Sequence, residues 1–305
     1  MDAIIYAHGT PQANDPLYNY SHGNPKALID IAGKSMIQWV LDAIGNTKEI
    51  RNIIICGLSS KITLTCKKPL SYLPDKGNPS ANILAGANKS RELDHTNKYV
   101  LIIPSSIPVL RPEMIDWFIN TTKRTKDDLY FSLCPRDAVE QTSMNIKPDY
   151  IGLEDTEVSN INIYIADINF ILNSLIKWDE LLDNHKSLLY QAADLQWSLA
   201  FPFILRRMTL QQATTRVSER IGAKCRAIVW PYAEPCMDVG KPDQLEMLRR
   251  DLARQARPTP NKASTKRSVV SQKKKVVVQK RPASARKKPA SLLKENTAKP
   301  KAKKK

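Results

Sequence analysis

The first residues that could do chemistry follow a short apolar run, Asp2–Ala7, which predicts a strand. His8 and Gly9 come directly after this run, and the Pro25-Lys26 pair stands later in the same loop. A loop after a strand, with free backbone N–H groups and a lysine, suits a triphosphate. An ordinary surface loop with an exposed lysine is the alternative. We call residues 8–26 the first loop.

A second candidate lies in the stretch YVLIIPSSIPVL, residues 99–110. Its apolar part predicts a buried strand, Tyr99–Ile103, and the two hydroxyls of Ser105 and Ser106 follow that strand. In an open α/β sheet, ligands bind beyond the carboxyl ends of the strands. Whether these hydroxyls can take part in chemistry distinguishes an enzyme from a protein that only shares its fold.

The elements that must position these residues alternate between strand and helix patterns. Besides the two strands above, strands are predicted at 52–56, 128–134 and 225–230, and helices at 35–44, 80–93, 112–122 and from Pro242 onwards. The run NINIYIADINF is compatible with a strand that leads into a helix, and residues 168–220 are rich in helical patterns that could form a cap or an oligomer contact. Such alternation predicts a three-layer α/β/α fold, Rossmann-like, with a mostly parallel sheet.

Charge divides the chain into one domain, residues 1–257, and a basic tail, residues 258–305. The whole sequence has 47 basic and 30 acidic residues, and residues 258–305 hold 17 of the basic ones with a single acid, Glu295. Residues 1–257 are therefore close to neutral, with a net charge of +1. The basic segment is rich in Lys, Ala, Pro and Ser and cannot bury a core, so it predicts a disordered tail that could bind nucleic acid non-specifically.

The five cysteines show no C-x-x-C spacing. Free thiols are typical of a reducing compartment, and the sequence has neither a signal-peptide pattern nor an apolar run of membrane-spanning length. We expect a cytoplasmic protein without a membrane partner.

The motif after the first loop carries a family resemblance. Gly9 is followed by Pro25-Lys26-Ala27-Leu28 and then by Gly33-Lys34-Ser35-Met36-Ile37 at the start of a predicted helix. This order resembles the MobA-like NTP transferases, nucleotidyltransferases similar in fold to the molybdenum cofactor guanylyltransferase. The resemblance covers about residues 1–257 and implies the nucleotidyltransferase (GT-A-like) fold. It also implies that His8, Gly9, Pro25 and Lys26 contact the nucleotide, with Lys26 as a catalytic cation, although the family opening LAGG is replaced by YAHG.

The resemblance implies a base-binding role for the segment LPDKGNPSANILAGANKS. The residues that match in type are Gly77, Asn78, Ser80, Asn82 and Gly86. Amide side chains can read the edge of a base, and glycine allows a ring to approach the backbone. The equally weighted alternative is a helix N-cap at Ser80 with a tolerated glycine at position 86.

Two positions at which the family binds metal depart from its pattern. Ser106 occupies the place of the aspartate that ends the third strand, and Gly240 stands where a second aspartate often follows Asp238. Mg²⁺ prefers carboxylate anchors together with substrate phosphates. The resemblance implies Mg²⁺ as the cofactor, with Asp238 as its remaining carboxylate, and Asp15 and Asp75 as possible substitutes. It also implies that Asn162 lies near the acceptor, although an edge-strand amide is the simpler interpretation of that residue.

Two functions remain open. One is transfer of a nucleoside monophosphate from an NTP to a phosphate-bearing acceptor with release of pyrophosphate. The other is a catalytically degenerate protein that binds nucleotide or serves as a scaffold, with a basic tail that binds nucleic acid.

Overall fold

The computed structural model describes residues 1–142, 144, 146–174 and 206–256. Part of the predicted helix-rich block, residues 175–205, and the whole predicted basic tail lie outside the described residues. None of the described helices is long and apolar enough to cross a membrane.

The first half of the chain alternates strands and helices, as its hydrophobic periodicity predicts. Its elements are β1 (Asp2–Tyr6), α1 (Tyr18–Ser21), a 3₁₀ turn (Lys26–Leu28), β2 (Asp30–Ile31), β3 (Lys34–Ser35), α2 (Met36–Gly45), β4 (Ile53–Cys56), β5 (Leu70–Leu73), α3 (Pro79–Leu93), β6 (Tyr99–Pro104), α4 (Pro112–Thr122) and β7 (Leu129–Pro135). Proline at the first turn of α3 and of α4 fixes where these helices begin, because its missing N–H has no helical partner there.

The second half completes the sheet. Its elements are α5 (Arg136–Gln141), β8 (Ile151–Gly152), β9 (Glu157–Asp167), α6 (Ile168–Asn173), α7 (Leu210–Ile221), β10 (Cys225–Val229), a 3₁₀ turn (Glu234–Cys236) and α8 (Pro242–Ala256). A capping box of Thr209 and Gln212 begins α7, and Gly222 ends it with a φ of 66°. The strand into helix expected at NINIYIADINF is confirmed as β9 and α6.

One eight-stranded sheet forms the middle layer. Its path runs β10-β7-β9-β6-β1-β4-β5, and β8 pairs with β9. The pairs β1–β4, β1–β6, β4–β5 and β10–β7 are parallel, whereas β9 is antiparallel to β6, β7 and β8. The prediction of a mostly parallel α/β sheet is confirmed, with one antiparallel strand inserted near its centre.

Side chains on the two faces of the sheet enter two separate apolar layers. In β1, Ile5 points into a layer formed with α2, α4 and α8, and Ile4 points into a layer formed with α3, α6 and α7. This alternation is the period of two that a strand imposes on its side chains. Residues packed on both faces explain why the central strands read as continuous apolar runs.

Two glycines allow close approaches at β1. A Cβ on Gly86 of α3 would lie 2.7 Å from Cγ2 of Ile4, so α3 packs tightly on β1. Gly57 follows β4 with a φ of +108°, and a Cβ there would lie 2.8 Å from backbone atoms of Ala7 and His8. Both glycines therefore support the strand that leads into the first loop.

The N-terminus of α3 differs from the alternative offered by the sequence. The N-cap is Asn78, whose side chain accepts a hydrogen bond from the backbone of Ala81 at 2.7 Å, and Pro79 follows it. Ser80 is therefore not the cap but lies inside the first turn. Asparagine is among the strongest N-cap residues, and proline suits the position after it.

Candidate active site

Parallel strands bring four sequence segments to one edge of the sheet. The first loop follows β1, residues 74–78 follow β5, Ser105 and Ser106 follow the last residue of β6, and Asp238 lies on the segment between β10 and α8. We call residues 74–78 the second loop. Because the carboxyl ends of these strands share one edge, segments far apart in sequence can face one ligand.

The first loop is closed by its own backbone. The N–H of Lys26 donates to the carbonyl of Gly9 at 3.0 Å, which brings the two ends of the loop together. Gly9 has a φ of +90°, a conformation that glycine adopts without strain. The Lys26 side chain is half-buried, and its ammonium forms no ion pair within the parts of the chain that the structure describes. It can therefore neutralise the charge of a bound anion.

Asp75 fixes the second loop from within. Its Oδ1 accepts hydrogen bonds from the backbone of Gly77 and from the side chain of Asn82, each at 2.9 Å. Desolvation raises the pKa of Asp75, but these hydrogen bonds, the nearby backbone N–H of Gly9 and the charge of His8 outweigh it, so the pKa lies below its ordinary value. The carboxylate therefore holds the second loop and lies close to the first.

The second loop presents backbone and hydroxyl groups at the start of α3. Gly77 has a φ of +91° with open space where a Cβ would stand. Ser80 is buried, and its Oγ has no hydrogen-bond partner among the described residues. A hydroxyl in this position at a helix N-terminus can bind an electronegative atom of a ligand.

Two residues of the predicted base-binding set serve internal contacts. Asn82 is fully buried, and its Oδ1 accepts from the backbone of Lys76 at 3.0 Å while its amide donates to Asp75. Gly86 lies in the middle of α3 against Ile4, away from the first turn. Asn82 holds the second loop through its hydrogen bonds to Asp75 and Lys76, and Gly86 allows α3 to pack closely on β1.

The serines after β6 are fixed by backbone contacts. The N–H of Ser105 donates to the carbonyl of Tyr6 at 3.2 Å, and the carbonyl of Ser106 accepts from the N–H of Val239 at 2.9 Å. Both serines are 7% exposed. The contact between Ser106 and Val239 makes Asp238 its spatial neighbour, so the two positions aligned with the family's metal ligands do come together.

Asp238 is held by amides from β9. The side-chain amide of Asn162 donates to Oδ2 of Asp238 at 3.0 Å, and that of Asn160 donates to Oδ1 of Asn162 at 2.8 Å. Asn162 thus contacts the predicted metal-side carboxylate directly. We call Asn160, Asn162 and Asp238 the amide relay.

Two phenols face the same carboxylate. Burial raises the pKa of Tyr164 to about 12 and that of Tyr6 well above its ordinary value, and the charge of Asp238 adds to both shifts. The phenols stay neutral at physiological pH. Asp238 therefore has neutral hydrogen-bonding groups close to it.

The donor set at this end of the site has one carboxylate. No group of three or more His, Cys, Asp or Glu side chains that could hold a metal ion occurs in the described residues. Mg²⁺ is commonly held by one or two carboxylates together with substrate phosphates and water. Asp238 fits that minimal arrangement, and the space beside Gly240 is open, since a Cβ there would meet only Oε1 of Gln244 at 3.9 Å.

Sequence reasoning missed the connecting residues of the site. Asp75 was considered only as a possible metal ligand, and Tyr6, Asn160 and Tyr164 were not considered at all. The spacing of two in N-I-N-I-Y places Asn160, Asn162 and Tyr164 on one face of a strand. That polar stripe in an otherwise apolar strand is the signal that could have identified them.

The comparisons with known proteins agree with this geometry. The model of the MobA-like NTP transferase domain matches residues 21–157, which include the Pro25-Lys26 end of the first loop and the helix after it, and this confirms the family resemblance there. A hypothetical transferase from Thermus thermophilus has a TM-score of 0.64 and 23% sequence identity, over 80% of this chain and 98% of that chain. This similarity shows the fold. No curated protein matches the chain.

More distant structural matches include two named synthetases. A 4-diphosphocytidyl-2C-methyl-D-erythritol synthase from Anaerococcus prevotii has a TM-score of 0.48 at 14% identity, over 82% of this chain and 95% of that chain. A CMP:2-keto-3-deoxy-manno-octonic acid synthetase in complex with CTP has a TM-score of 0.49 at 12% identity, over 84% and 100% of the two chains. Similarity at this level carries no functional argument.

Proposed function

We propose that the protein binds an NTP between the first and second loops and transfers its nucleoside monophosphate to a phosphate-bearing acceptor, with release of pyrophosphate. The observation that carries this proposal is that Lys26, Asp75 and Asp238 all lie on segments at the same edge of the sheet. A match to the MobA-like NTP transferase domain over residues 21–157 supports it.

The first loop would bind the triphosphate and the second loop the base. Lys26 supplies the positive charge, and the backbone of the first loop supplies N–H donors. The open side of Gly77 and the hydroxyl of Ser80 are available to a planar ring. Asp75 and Asn82 would keep the second loop in place for the base, because their hydrogen bonds tie that loop to the start of α3.

The reaction is an in-line displacement at the α-phosphorus. An oxygen of the acceptor phosphate attacks the α-phosphorus, and the bond from that phosphorus to the bridging oxygen of the β-phosphate breaks, so pyrophosphate leaves. Charge grows on the leaving oxygens, and Lys26 would stabilise it. A Mg²⁺ ion held by Asp238 and the phosphates would add Lewis-acid stabilisation.

Nucleotide titration of the full-length protein tests the proposal. We expect one of the four common NTPs to bind with micromolar to millimolar affinity by isothermal titration calorimetry, and pyrophosphate to appear when a panel of phosphate monoesters is added with Mg²⁺. A protein that binds none of the NTPs would contradict the proposal.

A catalytically degenerate nucleotide-binding or scaffold protein is the second candidate. The neutral side chains of Ser106 and Gly240 at the two metal-side positions favour it, because they leave Asp238 as the single carboxylate there. Binding of an NTP without any pyrophosphate release across the acceptor panel would select this candidate.

The basic tail forms a separate part of the proposal. Its 17 cations and one acid would neutralise nucleic-acid phosphates without sequence preference, and the affinity would fall steeply with salt. A truncation that ends at Arg257 should lose retention of DNA or RNA on a filter and keep the NTP affinity. Retention by the truncated protein would place the nucleic-acid surface on residues 1–257.

The free cysteines fit a reducing compartment, and on that ground we propose a cytoplasmic location for the protein.

A further inference from the structure

Asn160 is connected to Asp238 through hydrogen bonds, although it does not contact that carboxylate itself. It reaches Asp238 through a single intermediate, Asn162, over hydrogen bonds of 2.8 Å and 3.0 Å. Both asparagines lie on the same face of β9, two residues apart. The amide relay therefore joins the centre of the sheet to the segment before α8.

A bulge in β9 aims the relay. The pairing with β7 runs from Phe131 opposite Tyr164 to Ser132 opposite Ile161, so Asn162 and its successor have no partner on β7. The pairing with β6 ends at Tyr164 as well. A bulge frees a residue from the regular pleat and turns its side chain, which is why bulges often occur beside active sites. Asn162, which donates to Asp238, is one of the two residues that this bulge leaves without a partner on β7.

The direction of the relay is set by the chemistry of Asp238. An ionised carboxylate can only accept, so Asn162 must present its NH₂ group to Oδ2 and its carbonyl to Asn160. Asn160 must then present its own NH₂ group to that carbonyl. The relay is thus polarised toward Asp238.

The relay is kept at a cost. The Oδ1 of Asn160 is buried and has no hydrogen-bond partner among the described residues, while its amide donates to Asn162. A buried acceptor without a partner lowers stability, and such a group calls for an explanation. Orientation of Asn162 supplies one.

Oδ1 of Asp238 is the oxygen that remains for a ligand. Among the described residues it accepts no hydrogen bond, while Oδ2 is engaged by Asn162. We propose that Asn160 is a positioning residue of the nucleotidyl-transfer site, which locks Asn162 so that Asp238 offers Oδ1 to the divalent cation on the substrate phosphates. This inference rests on the proposed function. It differs from the acceptor-binding role that the family resemblance implies for Asn162.

The test measures cation binding rather than turnover. Full-length protein is saturated with an NTP analogue that cannot release pyrophosphate, and Mn²⁺ affinity is measured by electron paramagnetic resonance. Asn160→Ala should weaken Mn²⁺ binding about threefold to tenfold, and Asn162→Ala about tenfold or more, because a charge-assisted hydrogen bond is lost. Affinity for the analogue without metal should change less than twofold in both variants.

A double-mutant cycle distinguishes positioning from an independent contact. Because Asn160 acts through Asn162, the double variant should bind Mn²⁺ no more weakly than Asn162→Ala alone. Losses that multiply in the double variant would overturn the inference. Asn88→Ala, an exposed amide on α3 that donates to its own helix, is the matched control and should match the wild type.

Two further results separate the inference from the proposed function. If wild-type protein binds the analogue and Mn²⁺ while Asn160→Ala behaves like Asn88→Ala, the inference fails and the proposed function stands. If wild-type protein binds no nucleotide, both fail. Should Asn160→Ala melt far below the wild type, Asn160→Ser replaces it, since a hydroxyl keeps a polar group at the site but is too short to reach Asn162; the same loss of Mn²⁺ affinity is expected.

Discussion

The two halves of the candidate site are built differently. At the nucleotide side, the first and second loops contain Gly9, Gly77 and Lys26, and Asp75, Asn82 and Gly57 hold the neighbouring backbone in place. At the metal side, a single carboxylate faces phenols and amides, and open space lies beside Gly240. The nucleotide side is held by several internal contacts, whereas the metal side has a single carboxylate among neutral groups and open space beside Gly240.

This difference separates binding from chemistry. Under the proposed function, the interactions that hold an NTP depend on the two loops. Charge compensation in the transition state would depend on carboxylates at the metal side, where Asp238 is the one that the family resemblance supplies. We therefore expect nucleotide affinity to be more sensitive to changes at the nucleotide side, and cation dependence to be adjustable at the metal side.

The largest effect is expected at Gly57. Alanine there must adopt a φ of +108° and place its Cβ 2.8 Å from backbone atoms of Ala7 and His8. We expect Gly57→Ala to lower the free energy of unfolding by roughly 2–4 kcal/mol, measured by urea denaturation. Gly240→Ala, with one neighbour at 3.9 Å, is the control and should change it by less than about 0.5 kcal/mol. Equal losses in the two variants would remove the distinction between braced and open halves.

Lys26→Ala should weaken NTP binding about tenfold to a hundredfold. The reason is the loss of a charge-assisted contact to phosphate, worth roughly 1.5–3 kcal/mol. Isothermal titration calorimetry with the preferred NTP measures it. Lys126→Ala, an exposed lysine just before β7 at the opposite edge of the sheet, is the control and should bind as the wild type does. Unchanged affinity in Lys26→Ala would exclude this residue from the site.

Ser106→Asp should make nucleotide binding depend more strongly on Mg²⁺. A second carboxylate beside Asp238 restores the family pattern and should raise the Mg²⁺ stimulation about tenfold over the shallow dependence of the wild type. Without metal, the two like charges should lower the melting temperature, and Mg²⁺ should recover it. Ser105→Asp is the matched control; a gain there in place of Ser106 would shift the alignment by one residue. A wild-type protein with steep Mg²⁺ dependence would show that another carboxylate binds the metal together with Asp238.

Asp75→Asn should have the smallest effect, a loss of NTP affinity of a few-fold. The amide keeps an acceptor oxygen but loses the charge that strengthens the contacts with Gly9 and Gly77. Since the pKa of Asp75 is lowered, its contribution is present above the ordinary value of 3.8 and is lost as the pH falls below it. The hydrogen-exchange protection factor of the Gly77 amide should therefore fall in acid for the wild type and be low at all pH values in the variant. Protection that survives in Asp75→Asn would show that this carboxylate does not hold the second loop.

Local signals predicted the regular elements well. Helix α4 has the predicted bounds, Pro112–Thr122, because proline at its first turn and an apolar stripe are both written in adjacent residues. Strand β5 was missed, since its four residues are all half-buried and show no alternation. The hairpin of β2 and β3 was missed because each strand has only two residues. Periodicity needs several residues before it can be detected.

The sequence by itself determined which functional groups the site can contain. Lys26 in the first loop, serine at position 106 and glycine at position 240 are facts of residue type, and the departure of the last two from the pattern that the family resemblance implies needs no coordinates. Only the tertiary structure decided how these groups are held. Asp238 meets Asn162 across 76 residues, and the carbonyl of Ser106 accepts a hydrogen bond from the backbone of Val239. Such contacts depend on the order of the strands and on the bulge in β9, and the hydrophobic pattern of each strand is the same whichever neighbour it pairs with.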